Sequence, residues 1–206
     1  FNGTSWSQLG QDIDGEAAGD RSGFSVSLSE DGSIVAIGAW GNDGNGVDSG
    51  HVRVYQFNGS SWNQLGQDID GEEGDNLGTS VSLSADGLIV ATGGEFSRDD
   101  NNIITGSVRV YQYNSVSNSW TQLGQDIDGE DEGDESGFSV SLSADGSTVA
   151  IGAIYNDGEL GNEAGNVDDN RGHVRVYNYN GTSSSWVQLG QDIDGQNEGD
   201  RSGRSV

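Results

Sequence analysis

The octapeptide Gln-Leu-Gly-Gln-Asp-Ile-Asp-Gly occurs four times, beginning at Gln8, Gln64, Gln122 and Gln188, at spacings of 56, 58 and 66 residues. A repeat of this length constrains the fold more than any compositional value, because each unit must be one supersecondary structure that buries its apolar face against the next copy. Within each period the sequence predicts four strands. In strand a, residues 23–29, Phe24, Val26 and Leu28 alternate with Ser25, Ser27 and Ser29, the period of two that a pleated strand requires. Strand b, residues 33–39, is a continuous apolar run rich in β-branched side chains, the pattern of a strand buried on both faces. Strand c spans 51–57 and strand d 62–69. The four recur at 78–84, 88–94, 107–113 and 120–127, then at 137–143, 147–153, 173–179 and 186–193, and no segment has a helical period.

Turn chemistry agrees. Asp31-Gly32, Asp86-Gly87 and Asp145-Gly146 join a to b, and Asn58-Gly59 and Asn180-Gly181 join c to d, dipeptides that tolerate the positive φ of tight hairpins. A four-stranded antiparallel meander repeated at this spacing is the blade of a β-propeller. The expected fold is therefore all-β, with a terminal strand of a preceding blade in 1–20, blades at 21–75, 76–134 and 135–200, and the start of another at 201–206. Three full blades, a lone strand d (Trp6 to Ile13) and the beginning of a strand a (Gly203 to Val206) fall short of the roughly four to eight blades that close a propeller. The chain is thus expected to be part of a larger propeller, to associate with copies, or to form an open stack; its start without Met predicts an excerpt of a longer chain.

Charge narrows the function. Against 34 Asp and Glu the 206 residues carry 8 bases, all Arg, for a formal net charge of −26. A surface this acidic repels a phosphate backbone, so nucleic acid is not an expected partner. With no Cys there is neither a disulfide framework nor a thiolate site, and no apolar run approaches the ~20 residues that span a bilayer.

Alternating strands place the a–b and c–d turns at one end of each blade and the b–c loops and d–a connections at the other. The d–a connections are the strongest chemical signal: Asp12, Asp14, Glu16 and Asp20; Asp68, Asp70, Glu72, Glu73 and Asp75; Asp126, Asp128, Glu130, Asp131, Glu132 and Asp134; and Asp192, Asp194, Glu198 and Asp200. Carboxylates alternating around a Gly turn suit Ca²⁺, which takes six to eight oxygens; the alternative is an acidic loop in which Asp14 and Asp20 cap backbone N–H groups. The b–c loops supply candidate partner contacts: Trp40, Asp43 and Asp48; Asp99 and Asp100; Asp157, Glu159, Glu163, Asp168 and Asp169. Arg53, Arg109 and Arg175 share one position of strand c and are expected to be held between blades against a carboxylate or carbonyl. His51 and His173 are repeat-equivalent, with Ser107 at the same place, which argues against a unique catalytic base. Trp6, Trp62, Trp120 and Trp186 are expected to pack between blades. Asn2, Asn58 and Asn180 head glycosylation sequons on the c–d turns, where Asn-Gly is also the preferred hairpin turn.

The segment from Gly19 to Val26, followed by Val35-Ala-Ile-Gly-Ala39 and Gly50-His-Val-Arg-Val-Tyr55, resembles the FG-GAP repeat of integrin α-type propellers, in its shorter form from secreted microbial and algal proteins. The likeness runs along nearly the whole chain. Ser22, Leu77, Ser136 and Ser202 stand in place of that repeat's Phe, and Trp40, Glu95 and Ile154 in place of its Pro. The integrin-type calcium loop joins strands a and b, where this chain has only a tight turn, so the resemblance transfers no calcium ligands. It implies a propeller of about seven blades, extracellular, in adhesion or matrix contact. The expected function is a calcium-stabilised extracellular or cell-surface binding module, not an enzyme, that meets a protein or glycan at its acidic face. The alternative is a structural repeat of a surface filament built from copies of itself, and a place in a propeller hydrolase ranks third.

Overall fold

A computed structural model describes residues 3–157 and 170–206. Asn2 and the b–c residues Glu159, Glu163, Asp168 and Asp169 lie outside the described residues. Three antiparallel sheets follow one another along the chain. The first contains β1 (Ser25–Leu28), β2 (Ile34–Ala39), β3 (His51–Phe57), β4 (Trp62–Gln64) and β5 (Ile69–Asp70). The second contains β6 (Ser80–Leu83), β7 (Ile89–Gly94), β8 (Ser107–Asn114), β9 (Ser119–Gln122) and β10 (Ile127–Asp128). The third contains β11 (Ser136–Leu142), β12 (Thr148–Ala153), β13 (His173–Asn180), β14 (Ser185–Gln188) and β15 (Ile193–Asp194). In each sheet the first four strands pair in sequence order, so the chain builds three blades of a β-propeller. Among the described residues no helix is long and apolar enough to cross a membrane.

The structure amends strand d. It is expected to be continuous but is two short strands, both paired with strand c: Trp62 opposes Phe57, and Ile69 opposes Val52. The break falls at Gly66, whose φ is +78°. The lone segment from Trp6 to Ile13 forms no strand, and neither does Gly203 to Val206. Each lacks the strand that would pair with it in a complete blade.

The core lies between blades rather than within them. One cluster joins Ile34, Val52, Val54 and Ile69 of the first blade to Leu77, Leu83, Val90 and Trp120 of the second. Another joins Val108, Val110 and Ile127 to Val149, Ile151, Tyr177 and Trp186. The outer faces show the converse. Phe24, Val26 and Leu28 are 59–63% exposed, whereas Leu83 and Val140 at equivalent places are 7% and 9% exposed. Each blade thus buries apolar surface only where a neighbour covers it.

The octapeptide is the lock between blades. The Trp120 indole N–H donates to the carbonyl of Leu65 (2.7 Å), and the Gln67 side-chain amide donates to the Trp120 carbonyl and accepts from its N–H, both at 3.0 Å. Trp186 meets Leu123 and Gln125 in the same way, and Trp62 meets Leu9 and Gln11. The segment before the first blade therefore acts as its neighbour's edge although it forms no strand.

Candidate functional site

Parallel bridges join the start of each strand c to the start of the following strand a: Gly50 to Leu77, Gly106 to Ser136 and Gly172 to Ser202. They hold the d–a connections against the b–c loops at one end of the blades. A cavity of about 600 Å³ there is lined by Glu16, Asp20, Asn42, Asp43 and Asp48, residues of both sets.

Acidic residues of the connections take three roles. The last carboxylate of each connection organises its own loop: Asp20 is buried and accepts from Ala17 N and Asn42 Nδ2, both at 3.0 Å. Asp134 accepts likewise from Asp131 N and Asn156 Nδ2, and Asp200 from Asn197 N. The first carboxylate is oriented locally, one oxygen of Asp12, Asp68, Asp126 and Asp192 accepting from the octapeptide's leading glutamine, Gln8, Gln64, Gln122 and Gln188. Asp14 and Asp128 offer the next blade their backbone: their carbonyls accept from Arg53 (2.9 Å) and Arg175 (2.8 Å). The strand-c arginines are thus held between blades. The backbone N–H of the exposed Glu72 donates to Asp75.

The blades differ beside His51 and His173. Both imidazoles are 1% exposed. His51 Nδ1 stands 3.9 Å from Glu16 Oε2 and 3.8 Å from Asp68 Oδ2; His173 Nδ1 stands 3.9 Å from Glu130 Oε2 and 3.7 Å from Asp192 Oδ2. These distances exceed hydrogen bonds. Burial pulls both imidazoles below the ordinary histidine range, His173 to about 4, so both rings are neutral at pH 7. The middle blade has Ser107 instead. There Arg109 turns to bind Asp126 through Nε (2.8 Å) and Asp75 through a terminal nitrogen (2.7 Å). In the sequence the repetition of the histidines argues against a unique catalytic base, whereas in the fold each meets carboxylates from two successive connections.

The proposed partner loops are built by side-chain-to-backbone turns. Asp43 accepts from Asp48 N, Asp99 from the N–H groups of Asn101 and Ile103, and Asp157 from Asn170 N, while Asp100 lies at the surface. Trp40 is half-buried, with the Arg21 guanidinium 4.1 Å above its ring and Phe24 against its edge. Asn58 and Asn180 accept from backbone N–H groups two residues on, at the opposite end of the blades.

Glu135 is pushed up to about 7 by burial and by the nearby Glu95 carboxylate. Its folded value lies above the ordinary carboxyl value of 4.5, so the native state binds the proton more tightly and loses stability as pH rises from about 4.5 to 7. Glu135→Gln is expected to match the parent protein at pH 4.5 and to melt about 2–4 °C higher at pH 8, a range corresponding to about 1 kcal/mol after solvent screening. The histidines, which lose stability in the opposite direction, cancel in this comparison. Equal melting temperatures at pH 8 would remove the burial argument.

The FG-GAP repeat family matches residues 13–55, which bears out the resemblance read from the sequence. No curated protein matches the chain. Similar solved structures include Sqt1 of Saccharomyces cerevisiae, 16% identical with a TM-score of 0.50 over 86% of this chain and 37% of that one. Another is the periplasmic gluconolactonase PpgL of Pseudomonas aeruginosa, 18% identical with a TM-score of 0.49, covering 82% of this chain and 39% of that one. The chain therefore spans under two-fifths of the length of these structures, and identities this low show the fold alone. The expectation that the chain is not an enzyme is corrected: similar structures include one named as a gluconolactonase. The likeness assigns no reaction to these residues.

Proposed function

We propose that the chain is part of an extracellular β-propeller binding module whose acidic end binds Ca²⁺ and meets a protein or glycan partner. The observation that carries this reading is that bridges join d–a connections to b–c loops at one end of the blades, where the first connection and the first loop line a cavity with Glu16, Asp20, Asp43 and Asp48, in a chain of net charge −26. Such a concentration of carboxylates opposes compaction unless cations offset it, and loops on a rigid scaffold are the usual carriers of binding. Calcium suits an all-oxygen set of adaptable geometry. With a dissociation constant on the order of 10⁻⁴ M, 10 mM Ca²⁺ adds about 2.7 kcal/mol per site. Thermal unfolding at low ionic strength is expected about 5–10 °C higher in 10 mM CaCl₂ than in chelator, with a smaller rise in NaCl of equal ionic strength. Identical melting temperatures in calcium and chelator would overturn the proposal.

A further inference from the structure

We infer that the first and third blades each carry a binding site for a borderline divalent cation of the Zn²⁺ class, formed by Glu16, His51 and Asp68 and by Glu130, His173 and Asp192. The inference goes beyond the calcium reading and does not depend on it: the four carboxylates belong to the same d–a connections, but the imidazole nitrogens select a different class of metal.

In each triad the imidazole Nδ1 and one oxygen from each carboxylate lie within 4.8 Å of one another. With separations of 3.7–3.9 Å from nitrogen to oxygen, a point equidistant from the three atoms is no more than about 2.5 Å from each, within a small contraction of zinc–nitrogen and zinc–oxygen bonds. His173 Nδ1 is buried, faces the two carboxylates and has no hydrogen-bond partner, a costly arrangement for a polar atom. A metal bond would satisfy it. Imidazole is a poor ligand for calcium and a good one for zinc, cobalt and nickel.

The remaining atoms of the triad are already held. Glu16 and Glu130 turn their other oxygen, Oε1, to Arg53 and Arg175 at 3.4 Å. Asp68 and Asp192 use their other oxygen, Oδ1, to accept from Gln64 and Gln188. Each carboxylate is thus fixed through one oxygen and presents the second to the imidazole, the outer-shell orientation typical of metal ligands. The Glu130 and Asp192 side chains are 44% and 23% exposed, leaving an approach from solvent above the buried ring.

The middle blade supplies the contrast. Where histidine is replaced by Ser107, the d–a connection is one residue shorter, Asp70 to Asp75 against Asp14 to Asp20 and Asp128 to Asp134. Arg109 there places its own charge on Asp126, the counterpart of Asp68 and Asp192. A cation from the chain occupies the one position that lacks the histidine. In the other two blades the arginine is committed to a glutamate and a backbone carbonyl, and the aspartate faces the imidazole Nδ1.

Equilibrium dialysis of the full chain against Zn²⁺, with 5 mM Ca²⁺ in excess, tests the inference. The expected result is two Zn²⁺ per chain, one after His173→Gln and none after His51→Gln and His173→Gln together, with affinity lowered roughly 100-fold at each altered site. Co²⁺ in place of Zn²⁺ should give a visible ligand-field band that each substitution halves. Should the buried substitutions unfold the chain, Glu130→Gln and Asp192→Asn report on the third-blade site through half-exposed and partly exposed side chains. Failure of Zn²⁺ to bind in the presence of Ca²⁺, or unchanged binding in the double histidine variant or in both carboxylate variants, would overturn the inference. The calcium effect on melting in the double histidine variant reports separately on the acidic loops, so the two readings fail independently.

Discussion

Arg109→Met is expected to lower the free energy of unfolding by about 3–5 kcal/mol, the cost of leaving buried charge without its partner. The guanidinium is largely buried and grips Asp75, itself 4% exposed, at 2.7 Å and Asp126 at 2.8 Å. Burial disfavours its charge, but the two carboxylates more than compensate and hold it above the ordinary arginine value. Deleting it strands two acids in a chain that already carries −26. Arg53→Met should cost only about 1 kcal/mol, because its carboxylate partner Glu16 is half-exposed and solvent screens the loss. Urea unfolding followed by tryptophan fluorescence and circular dichroism measures both. Adding Asp75→Asn and Asp126→Asn to Arg109→Met should recover most of the deficit, and a loss below 1 kcal/mol for Arg109→Met alone would show that water reaches the cluster.

The blade was legible because its determinants are local. Alternation in Phe24, Val26 and Leu28, the apolar run at 34–39 and the Asp-Gly turns each act within one hairpin. The arginine role was legible too, since a charged residue between two valines of a buried strand needs a partner. What the sequence concealed is set by residues more than fifty positions apart. Gln67 brackets the backbone of Trp120, and nothing in its own neighbourhood marks it as different from a solvated glutamine. The signal that was available is the octapeptide's unvarying polar positions, in a stretch where a merely solvated loop has no reason to repeat glutamine. The break in strand d was hidden because Ile69 keeps the apolar pattern while Gly66, at positive φ, resets the register. The histidine triads were hidden for a topological reason: Glu16, His51 and Asp68 come from three segments, and repetition of the histidine weighs against a unique catalytic site while saying nothing against a repeated metal site.

The close approach of blades makes Gly93→Ala a strongly disruptive small substitution. Gly93 lies on β7 where the carbonyl of Gly137, in the next blade, occupies the space of a Cβ, and the Ser80 hydroxyl fills the remainder. Ser80 Oγ donates to that same carbonyl at 2.7 Å, so strands a and b of one blade jointly grip the backbone of the next. Gly38 and Gly152 meet Gly78 and Gly203 in the same way, with Ser25 and Ser139 as donors, which explains why the repeat carries a serine in strand a and a glycine in strand b at fixed places. The obstacle is backbone, which cannot rotate aside as a side chain would, so relief requires the blades to separate and opens the apolar core between them. Gly93→Ala is expected to cost about 3 kcal/mol or more and to lower the melting temperature by roughly 6–12 °C. Gly181→Ala, whose added methyl meets nothing within 4 Å, should stay within about 0.5 kcal/mol of the parent protein. Ser80→Ala, which removes the donor but creates no clash, should fall between them at about 1 kcal/mol. That ordering separates contact between blades from a general intolerance of alanine at glycine positions: if Gly93→Ala were as mild as Gly181→Ala in its turn, the blades would not be seated on one another's backbones, and the repeated glycine would need another cause.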